Sequence, residues 1–221
     1  MRPRNIARSA GALCFAFTWA GAETALAQTE TTTTTPAPQP QIGVHDSKLD
    51  VRAGGRTMVA GKVRPAVAGL VVSLQVSRGR QWRAIDRDRT DATGRFKLRE
   101  RVGRTGSARV RVRVGVAPGL RSGKRALGRL NVYRSAIASW YGPGLYGNRT
   151  GCGGTLAAGR LGVAHKSLPC GTMVTFRRGK RSVRVPVIDR GPYVGGREYD
   201  LTAATAQRLG FRGHGTVLVT R

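Results

Sequence analysis

After about residue 43, the chain consists of short apolar runs separated by Gly, Asp and Pro residues. Residues 109–114 alternate strictly, with Val110, Val112 and Val114 on one face and three arginines on the other, which predicts a half-buried strand. Other apolar runs predict strands at 70–76, 172–176, 182–188 and 216–220. One helix is predicted at 201–209, ending at Gly210, with Asp200 preferred to Thr202 as its N-cap. We therefore expect a mainly β protein with one short helix.

The predicted strands fall into two groups with different character. Between residues 43 and 135 they recur about every ten residues with turns such as 91–94 between them, which is typical of an antiparallel sandwich. This stretch resembles bacterial Ig-like modules, and we interpret it as an Ig-like β-sandwich that acts as a spacer or docking module. From residue 136 the strands are shorter and the turns richer in glycine. This change predicts a second domain at 136–221.

The first 42 residues have the pattern of an export signal followed by a linker. Arg2, Arg4 and Arg8 precede an apolar stretch at 10–22, and residues 25–27 read Ala-Leu-Ala, a small-x-small cleavage site. We predict a signal peptide at 1–27; a membrane anchor is the alternative. Residues 28–42 are rich in Thr and Pro and predict an extended linker. The protein is therefore expected to be secreted, and to contact a membrane only during export.

Removal of the signal peptide would also remove Cys14 and leave two cysteines, Cys152 and Cys170. An even pair in an exported chain favours one disulfide. A two-cysteine metal site is the alternative, but neither a Cys-x-x-Cys motif nor a His pair flanks these residues. We expect no metal and no organic cofactor.

Carboxyl groups are scarce in the second domain, which contains only Asp189, Glu198 and Asp200. Asp189 follows the apolar strand at 182–188, where partial burial would raise the pKa of its carboxyl and a neighbouring Arg190 guanidinium would lower it. A structural salt bridge is the alternative role for this Asp-Arg pair. Any acid–base chemistry by a carboxyl group must use one of these three residues.

Five motifs in this domain occur in the order of a known family. They are ASWYG at 138–142, GVAHK at 162–166, LPCGT at 168–172, VIDRGP at 187–192 and YDLT at 199–202. Together they resemble the rare lipoprotein A (RlpA)-like domain, a six-stranded double-psi β-barrel found in endolytic peptidoglycan lytic transglycosylases. The resemblance covers residues 136–221. It implies cleavage of the MurNAc–GlcNAc β-1,4 bond, with the C6 hydroxyl attacking its own anomeric carbon to leave a 1,6-anhydro end.

The resemblance also implies roles for individual residues. Asp189 is the catalytic candidate, and His165 orients substrate or assists proton transfer, unless it only satisfies hydrogen bonds inside the barrel. Four residues are candidates for substrate binding, with core packing as the alternative for the two aromatic ones: Trp140, Tyr141, Arg190 and Asp200. The Cys152–Cys170 disulfide gains support, because both cysteines replace other residues of the family's motifs.

One position departs from the family pattern in a way that affects the chemistry. Gly154 stands where the family has a glutamate that is taken as the second catalytic acid. Either Asp189 works alone, as acid and then base, or the barrel binds glycan without cutting it, as in expansin-like proteins. The second reading is the alternative function: a wall-binding or wall-loosening protein.

The net charge of the chain bears on which partners it is expected to bind. Lys and Arg number 39 against 11 Asp and Glu, for a formal net charge of +28, and the excess is found in both halves. An intracellular protein with this balance would suggest nucleic acid. Because an export signal is predicted and no nucleic-acid motif is found, we expect no nucleic acid. The expected partners are peptidoglycan glycan strands and anionic wall polymers held by electrostatic attraction.

Overall fold

The structure is a computed structural model that describes residues 36–221. The predicted signal peptide and the linker up to residue 35 lie outside the described residues. The elements are β1 Gln41–Lys48, β2 Asp50–Arg52, β3 Gly55–Arg64, β4 Val71–Arg78, β5 Gln81–Arg89, β6 Arg95–Val102, β7 Gly106–Val114, β8 Gly123–Tyr141, β9 Val163–His165, β10 Met173–Arg178, β11 Arg181–Asp189, β12 Tyr199–Thr202, α1 Ala203–Leu209 and β13 Gly215–Val219. Within residues 36–221, no helix is both long and apolar enough to cross a membrane.

The first half of the described chain contains two sheets with one core between them. Strands β1, β3 and β6 form one sheet, and β5, β4, β7 and the first part of β8 form the other. Alternation places Val110, Val112 and Val114 in the core, as the period-two pattern predicts. Leu74 and Leu98, from opposite sheets, are both fully buried. The assignment of this half as Ig-like stays a prediction.

Strand β8 belongs to both halves of the molecule. Its first part pairs with β7 up to Val132, and its second part pairs with β13 from Arg134 and with β12 from Ala138. The predicted domain boundary at 135/136 therefore lies inside a continuous 19-residue strand. Backbone hydrogen bonding thus runs without a break from the first half into the second.

The second half forms a closed barrel of six strands. The order around the barrel is β8, β12, β9, β11, β10 and β13, and β13 pairs again with β8. Two pairs are parallel, β12 with β8 and β9 with β11, and the others are antiparallel. Phe176, Tyr199 and Leu201 fill the interior and are fully buried. The predicted six-stranded barrel with one short helix is confirmed.

The helix begins later than predicted, and its N-cap is a different residue. Thr202 is the cap: its side chain accepts a hydrogen bond from the Thr205 amide, and α1 then runs to Leu209. The prediction that Asp200 caps the helix is wrong, because Asp200 lies within β12, where its carboxylate accepts a hydrogen bond from Ser139. Gly210 ends the helix as predicted, in a left-handed conformation with φ of 66°.

Asp50 connects the two halves through polar side chains. Its Oδ1 accepts a hydrogen bond from the Tyr133 hydroxyl at 2.8 Å, and its Oδ2 lies 3.3 Å from Nη1 of Arg177 in β10. Tyr133 is buried, and its burial, with the neighbouring Asp50 carboxylate, raises the pKa of the phenol above its usual value. The phenol therefore remains a donor to Asp50 at all physiological pH values.

We expect Tyr133→Phe to lower the free energy of unfolding by about 1.5–3 kcal/mol, the range for a hydrogen bond to a charged group. The loss should appear as a lower denaturant midpoint with an unchanged slope. Tyr193→Phe is the control, because Tyr193 is 82% exposed. Equal midpoints for the two variants would show that the contact to Asp50 contributes nothing.

Candidate active site

Asp189 is held by three hydrogen-bond donors at the end of β11. Its Oδ1 accepts from the backbone amide of Gly151 at 2.7 Å and from that of Arg190 at 2.8 Å. Its Oδ2 accepts from the Tyr141 hydroxyl at 3.1 Å. A carboxylate is an acceptor-only group, so three donors in different directions fix its orientation while it stays partly exposed.

The register of β11 helps to aim this carboxylate. In the parallel pairing with β9, Val187 faces Val163 but Asp189 faces Ala164, so one residue is extra on β11. Such a bulge bends a strand and redirects a side chain. It occurs at the point where the apolar strand gives way to the Asp-Arg-Gly-Pro sequence.

A disulfide fixes the loop that brings the Gly151 amide to Asp189. We call residues 149–155 the cysteine loop. Cys152 and Cys170 are bonded across a sequence separation of 18, which confirms the predicted disulfide. The Cys152 amide also donates to the Ile188 carbonyl at 3.3 Å, directly before Asp189. The loop is therefore attached to β11 beside the Gly151–Asp189 hydrogen bond and to Cys170 by the disulfide.

Arg190 does not direct its guanidinium at Asp189. Its Nη1 donates to the carbonyls of Leu168 at 2.7 Å and His165 at 3.2 Å, and its Nη2 lies 2.9 Å from Sγ of Cys170. A Cβ on Gly151 would lie 2.8 Å from Cγ of Arg190, so the cysteine loop packs closely on this side chain. The structure thus places Arg190 as a support for the loop beside Asp189.

A polar row crosses the barrel next to Asp189. Asp189 in β11 pairs with Ala164 in β9, Ala164 pairs with Asp200 in β12, and Asp200 pairs with Ser139 in β8. Paired residues on neighbouring strands project to the same face. We call Ser139, Asp200, Ala164 and Asp189 the carboxyl row. Its two acids stand on either side of Ala164, which is small and buried.

Asp200 has a different environment from Asp189. Its Oδ1 accepts a hydrogen bond from Ser139 Oγ at 2.8 Å. Burial raises the pKa of the Asp200 carboxyl, and the Asp189 charge raises it further. The Ser139 hydrogen bond and the Arg197 charge lower it, but the net change in the pKa is upward. Tyr141 also has a raised pKa, mainly because it is buried and then because it faces the Asp189 charge. Its hydroxyl therefore stays protonated and donates.

Trp140 and Tyr141 do not share one surface, although they are adjacent in sequence. Tyr141 reaches Asp189, whereas Trp140 points to the other side of β8 and is 39% exposed. Trp140 lines a cavity of about 520 Å³ together with residues of α1 and the segment after it, including Phe211 and Arg212. The predicted pair of stacking aromatics is thus divided between two places.

His165 faces a different set of residues from Asp189. Its Nδ1 accepts from the amides of Ser167 and Leu168 at 3.1 and 3.0 Å, and its Nε2 lies 4.0 Å from Glu198. Its ring lies 4.9 Å from that of Tyr199. Burial lowers the pKa of the imidazole, and the nearby Glu198 charge only partly offsets this. The neutral ring thus fixes the turn whose carbonyls bind Arg190, while a role in proton transfer stays a prediction.

Glu198 is occupied by an ion pair outside the carboxyl row. Both of its oxygens accept from the guanidinium of Arg134, with Oε2 at 2.8 Å from Nη1. Of the three acids in the barrel, this leaves Asp189 and Asp200 on one face. No group of three or more His, Cys, Asp and Glu side chains suited to a metal converges within residues 36–221.

Gly154 lies in the cysteine loop with φ of +78°. This backbone conformation strains any residue with a Cβ, and a Cβ here would lie 3.0 Å from Nη1 of Arg160. The loop is therefore not shaped to present a glutamate at this position.

Comparison with known proteins agrees with this architecture. Residues 134–221 match the profile of a family described as lytic transglycolase. The chain is 45% identical over 84 residues to a probable endolytic peptidoglycan transglycosylase RlpA of Synechocystis, and 44% identical over 85 residues to the endolytic peptidoglycan transglycosylase RlpA of Campylobacter jejuni. Residues 134–221 thus match this family, and the chain is similar to RlpA proteins.

These similarities cover less than half of this chain. The Synechocystis and Campylobacter matches take in 37% and 38% of this chain, and 26% and 31% of the relatives. A probable RlpA of Aquifex aeolicus is 38% identical over 100 residues, which is 44% of each protein. The chain thus matches less than half the length of these relatives.

Two parts of the site were not predicted from sequence. The Gly151 amide had no signal of its own, although its neighbour Cys152 did. Ser139 lies in the ASWYG motif, two residues before Tyr141, so strand alternation would have placed both on one face. The alternation of Ser139 and Tyr141 could therefore have been read from the sequence. In the structure, residues 138–141 pair with 199–202, which are two of the recognised motifs.

We expect replacement of both cysteines, Cys152→Ser with Cys170→Ser, to lower the free energy of unfolding by about 3 kcal/mol in the chain-entropy account. Freeing the cysteine loop should also weaken the Gly151–Asp189 hydrogen bond. Chemical denaturation measures the stability, and alkylation without reductant followed by mass measurement counts the thiols. Two alkylated cysteines in the wild-type protein would contradict the disulfide.

We expect the stability of the protein to fall as the pH is lowered from about 6.5, the usual pKa of histidine. The folded state disfavours protonated His165, so the unfolded state binds more protons in this range and the free energy of unfolding declines through the folded pKa. His165→Gln should flatten this part of the pH profile, whereas His214→Gln, at an exposed position, should not. If wild type, His165→Gln and His214→Gln show the same dependence of stability on pH, the role of His165 in this loss of stability is contradicted.

Proposed function

We propose that this protein is a peptidoglycan lytic transglycosylase that cleaves the MurNAc–GlcNAc β-1,4 bond with formation of 1,6-anhydro-MurNAc ends. The observation that carries the proposal is the Asp189 carboxylate, held by Gly151, Arg190 and Tyr141 at the open end of β11. It belongs to a domain similar to proteins named as endolytic peptidoglycan transglycosylases.

The proposed reaction consumes no water. The C6 hydroxyl of MurNAc attacks its own anomeric carbon and loses a proton, while the bond to the O4 oxygen of the next sugar breaks and that oxygen gains a proton. A carboxylate fixed by three donors is suited to accept the C6 proton, because it needs no rearrangement as the reaction proceeds. Asp189 therefore acts as the base of this step.

Other candidate residues receive supporting roles in this proposal. Tyr141 and Arg190 hold the catalytic carboxylate and its loop, and His165 holds the turn that binds Arg190. Trp140, with a cavity beside it, contacts glycan at a distance from the reacting bond. The first half, residues 43–135, is proposed to be an Ig-like module that positions the barrel.

We further propose that the protein works outside the cell membrane, at the cell wall. The basic surface of both halves would concentrate it on wall polymers that carry carboxylates and phosphates, and this attraction would weaken as salt is added. Glycan strands are the proposed substrate and partner.

A second candidate function is supported by Gly154. Because the family's second acid is missing and the loop is not shaped for it, the barrel could bind glycan strands without cutting them. In that case the protein would be a wall-binding or wall-loosening protein.

We expect Asp189→Asn to abolish anhydro products while leaving wall binding intact. Purified peptidoglycan, native and stripped of stem peptides, would be digested and the products read by mass spectrometry. Loss of a positioned proton acceptor should lower the rate by about 10²- to 10⁴-fold. Asp91→Asn is the control, since Asp91 lies in a turn of the first half and, within residues 36–221, its carboxylate accepts hydrogen bonds from Thr93 and Arg95 alone.

Three outcomes separate the candidates. Anhydro ends from wild type and the control alone support the transglycosylase. Reducing ends would show hydrolysis instead. Sedimentation of every variant with the wall, without any cleavage, would favour the binding function.

A further inference from the structure

The transglycosylase reaction needs a proton donor as well as a base, and the structure contains a second carboxyl group on the correct face. The leaving O4 oxygen must receive a proton as its bond breaks, and an alkoxide is too poor a leaving group without one. Position 154 cannot supply the donor, because glycine stands there. A donor must therefore come from another residue of the barrel.

Among the acids of the barrel, only Asp200 shares a face with Asp189. Both pair with Ala164, one from each side, so their Cα atoms are two strand spacings apart, about 10 Å. Ala164 between them is small and buried, and the Tyr141 hydroxyl reaches Asp189 on the same face. The two carboxyl groups are thus placed to reach opposite sides of a sugar residue that lies across this face. Glu198 is excluded, because Arg134 binds both of its oxygens.

The surroundings of the two carboxyl groups suit opposite roles. Asp189 accepts three hydrogen bonds, two from backbone amides and one from the Tyr141 hydroxyl, so its oxygens are held as acceptors. Asp200 receives one side-chain hydrogen bond, from Ser139, and is partly buried. Paired carboxyl groups in unlike environments are the usual way in which one site provides both an acid and a base.

We infer that Asp200 is the proton donor of this site and gives its proton to the leaving O4 oxygen while Asp189 takes the proton of the C6 hydroxyl. This inference rests on the proposed transglycosylase function and replaces a mechanism in which Asp189 acts alone. One proton leaves the C6 oxygen and one reaches O4, so the reaction is balanced. Proton exchange between the two carboxyl groups and solvent restores the starting state.

The charged and titratable groups around Asp200 agree with a donor. Asp189 and Tyr141 face it from β11 and β8, and Arg197 lies just before its own strand. Burial and the Asp189 charge raise the pKa of Asp200 more than Ser139 and Arg197 lower it. Folding thus shifts the pKa of the Asp200 carboxyl in the direction that a proton donor needs.

The test uses two substrates that differ in their need for a proton. Glycan strands stripped of stem peptides have a sugar hydroxyl as leaving group, whereas the 4-nitrophenyl glycoside of MurNAc releases a phenolate that needs no proton. We expect Asp200→Asn to lose about 10²- to 10⁴-fold in rate on strands but less than about tenfold on the nitrophenyl substrate. Asp189→Asn should lose activity on both. Glu198→Gln is the matched carboxyl control and should keep both.

Stability gives a second readout that a structural role would not produce. Because the pKa of Asp200 is raised on folding, its contribution to stability is present below the usual Asp pKa and is lost as the pH rises through the folded value. At neutral pH, Asp200→Asn should therefore unfold at the same temperature as wild type or higher. The asparagine Oδ1 can still accept from Ser139.

The outcomes are distinct from those that test the proposed function. Wild-type protein that makes no anhydro ends from strands overturns the transglycosylase and this inference with it. If the wild type is active and the rate of Asp200→Asn on strands is within about threefold of the wild-type rate, only the inference is overturned, because a proton donor is worth at least about 10²-fold. Equal losses on both substrates, or a lower unfolding temperature for Asp200→Asn, would also overturn the role of Asp200 as donor.

Discussion

The pairing of β12 with two neighbours is the constraint on which the barrel and its site depend. Four residues, Tyr199–Thr202, bond antiparallel to β9 on one side and parallel to β8 on the other, and so close the ring. Tyr199 and Leu201 point inward and are fully buried, so the alternate residue Asp200 must point to the opposite face. Burial of two large side chains thus fixes the position of a carboxyl group.

The other carboxyl group is positioned from outside the barrel. Asp189 is at the end of β11, but a loop tied down by a disulfide delivers the Gly151 amide to it. Arg190 completes this arrangement by binding two carbonyls and lying against Cys170. In this chain the cysteine loop serves as a donor of an N–H group to Asp189, at the segment where relatives are expected to present a glutamate.

Much of this could be predicted from the sequence, and the rest could not for physical reasons. The alternation at 109–114 and the ordered motifs of 138–202 were sufficient for the strands and the six-stranded barrel. The even cysteine pair in a chain with a predicted export signal, supported by the changed motifs, was sufficient for the disulfide. The N-cap was misassigned, because Asp and Thr are both good caps and only the β12 pairing shows that Asp200 is still in a strand. The carboxyl row depends on register between strands far apart in sequence, which local patterns do not contain.

The measurement that tests the central claim most directly is a carbon-13 NMR titration of the carboxyl groups in the folded protein. If Asp200 and Asp189 act on one sugar from either side of Ala164, their charges are coupled. Asp200 should then titrate above the usual Asp pKa in wild type, and its pKa should fall in Asp189→Asn, where that neighbouring negative charge is removed. An Asp200 carboxyl with the usual pKa, or one that does not respond to Asp189→Asn, would contradict the account.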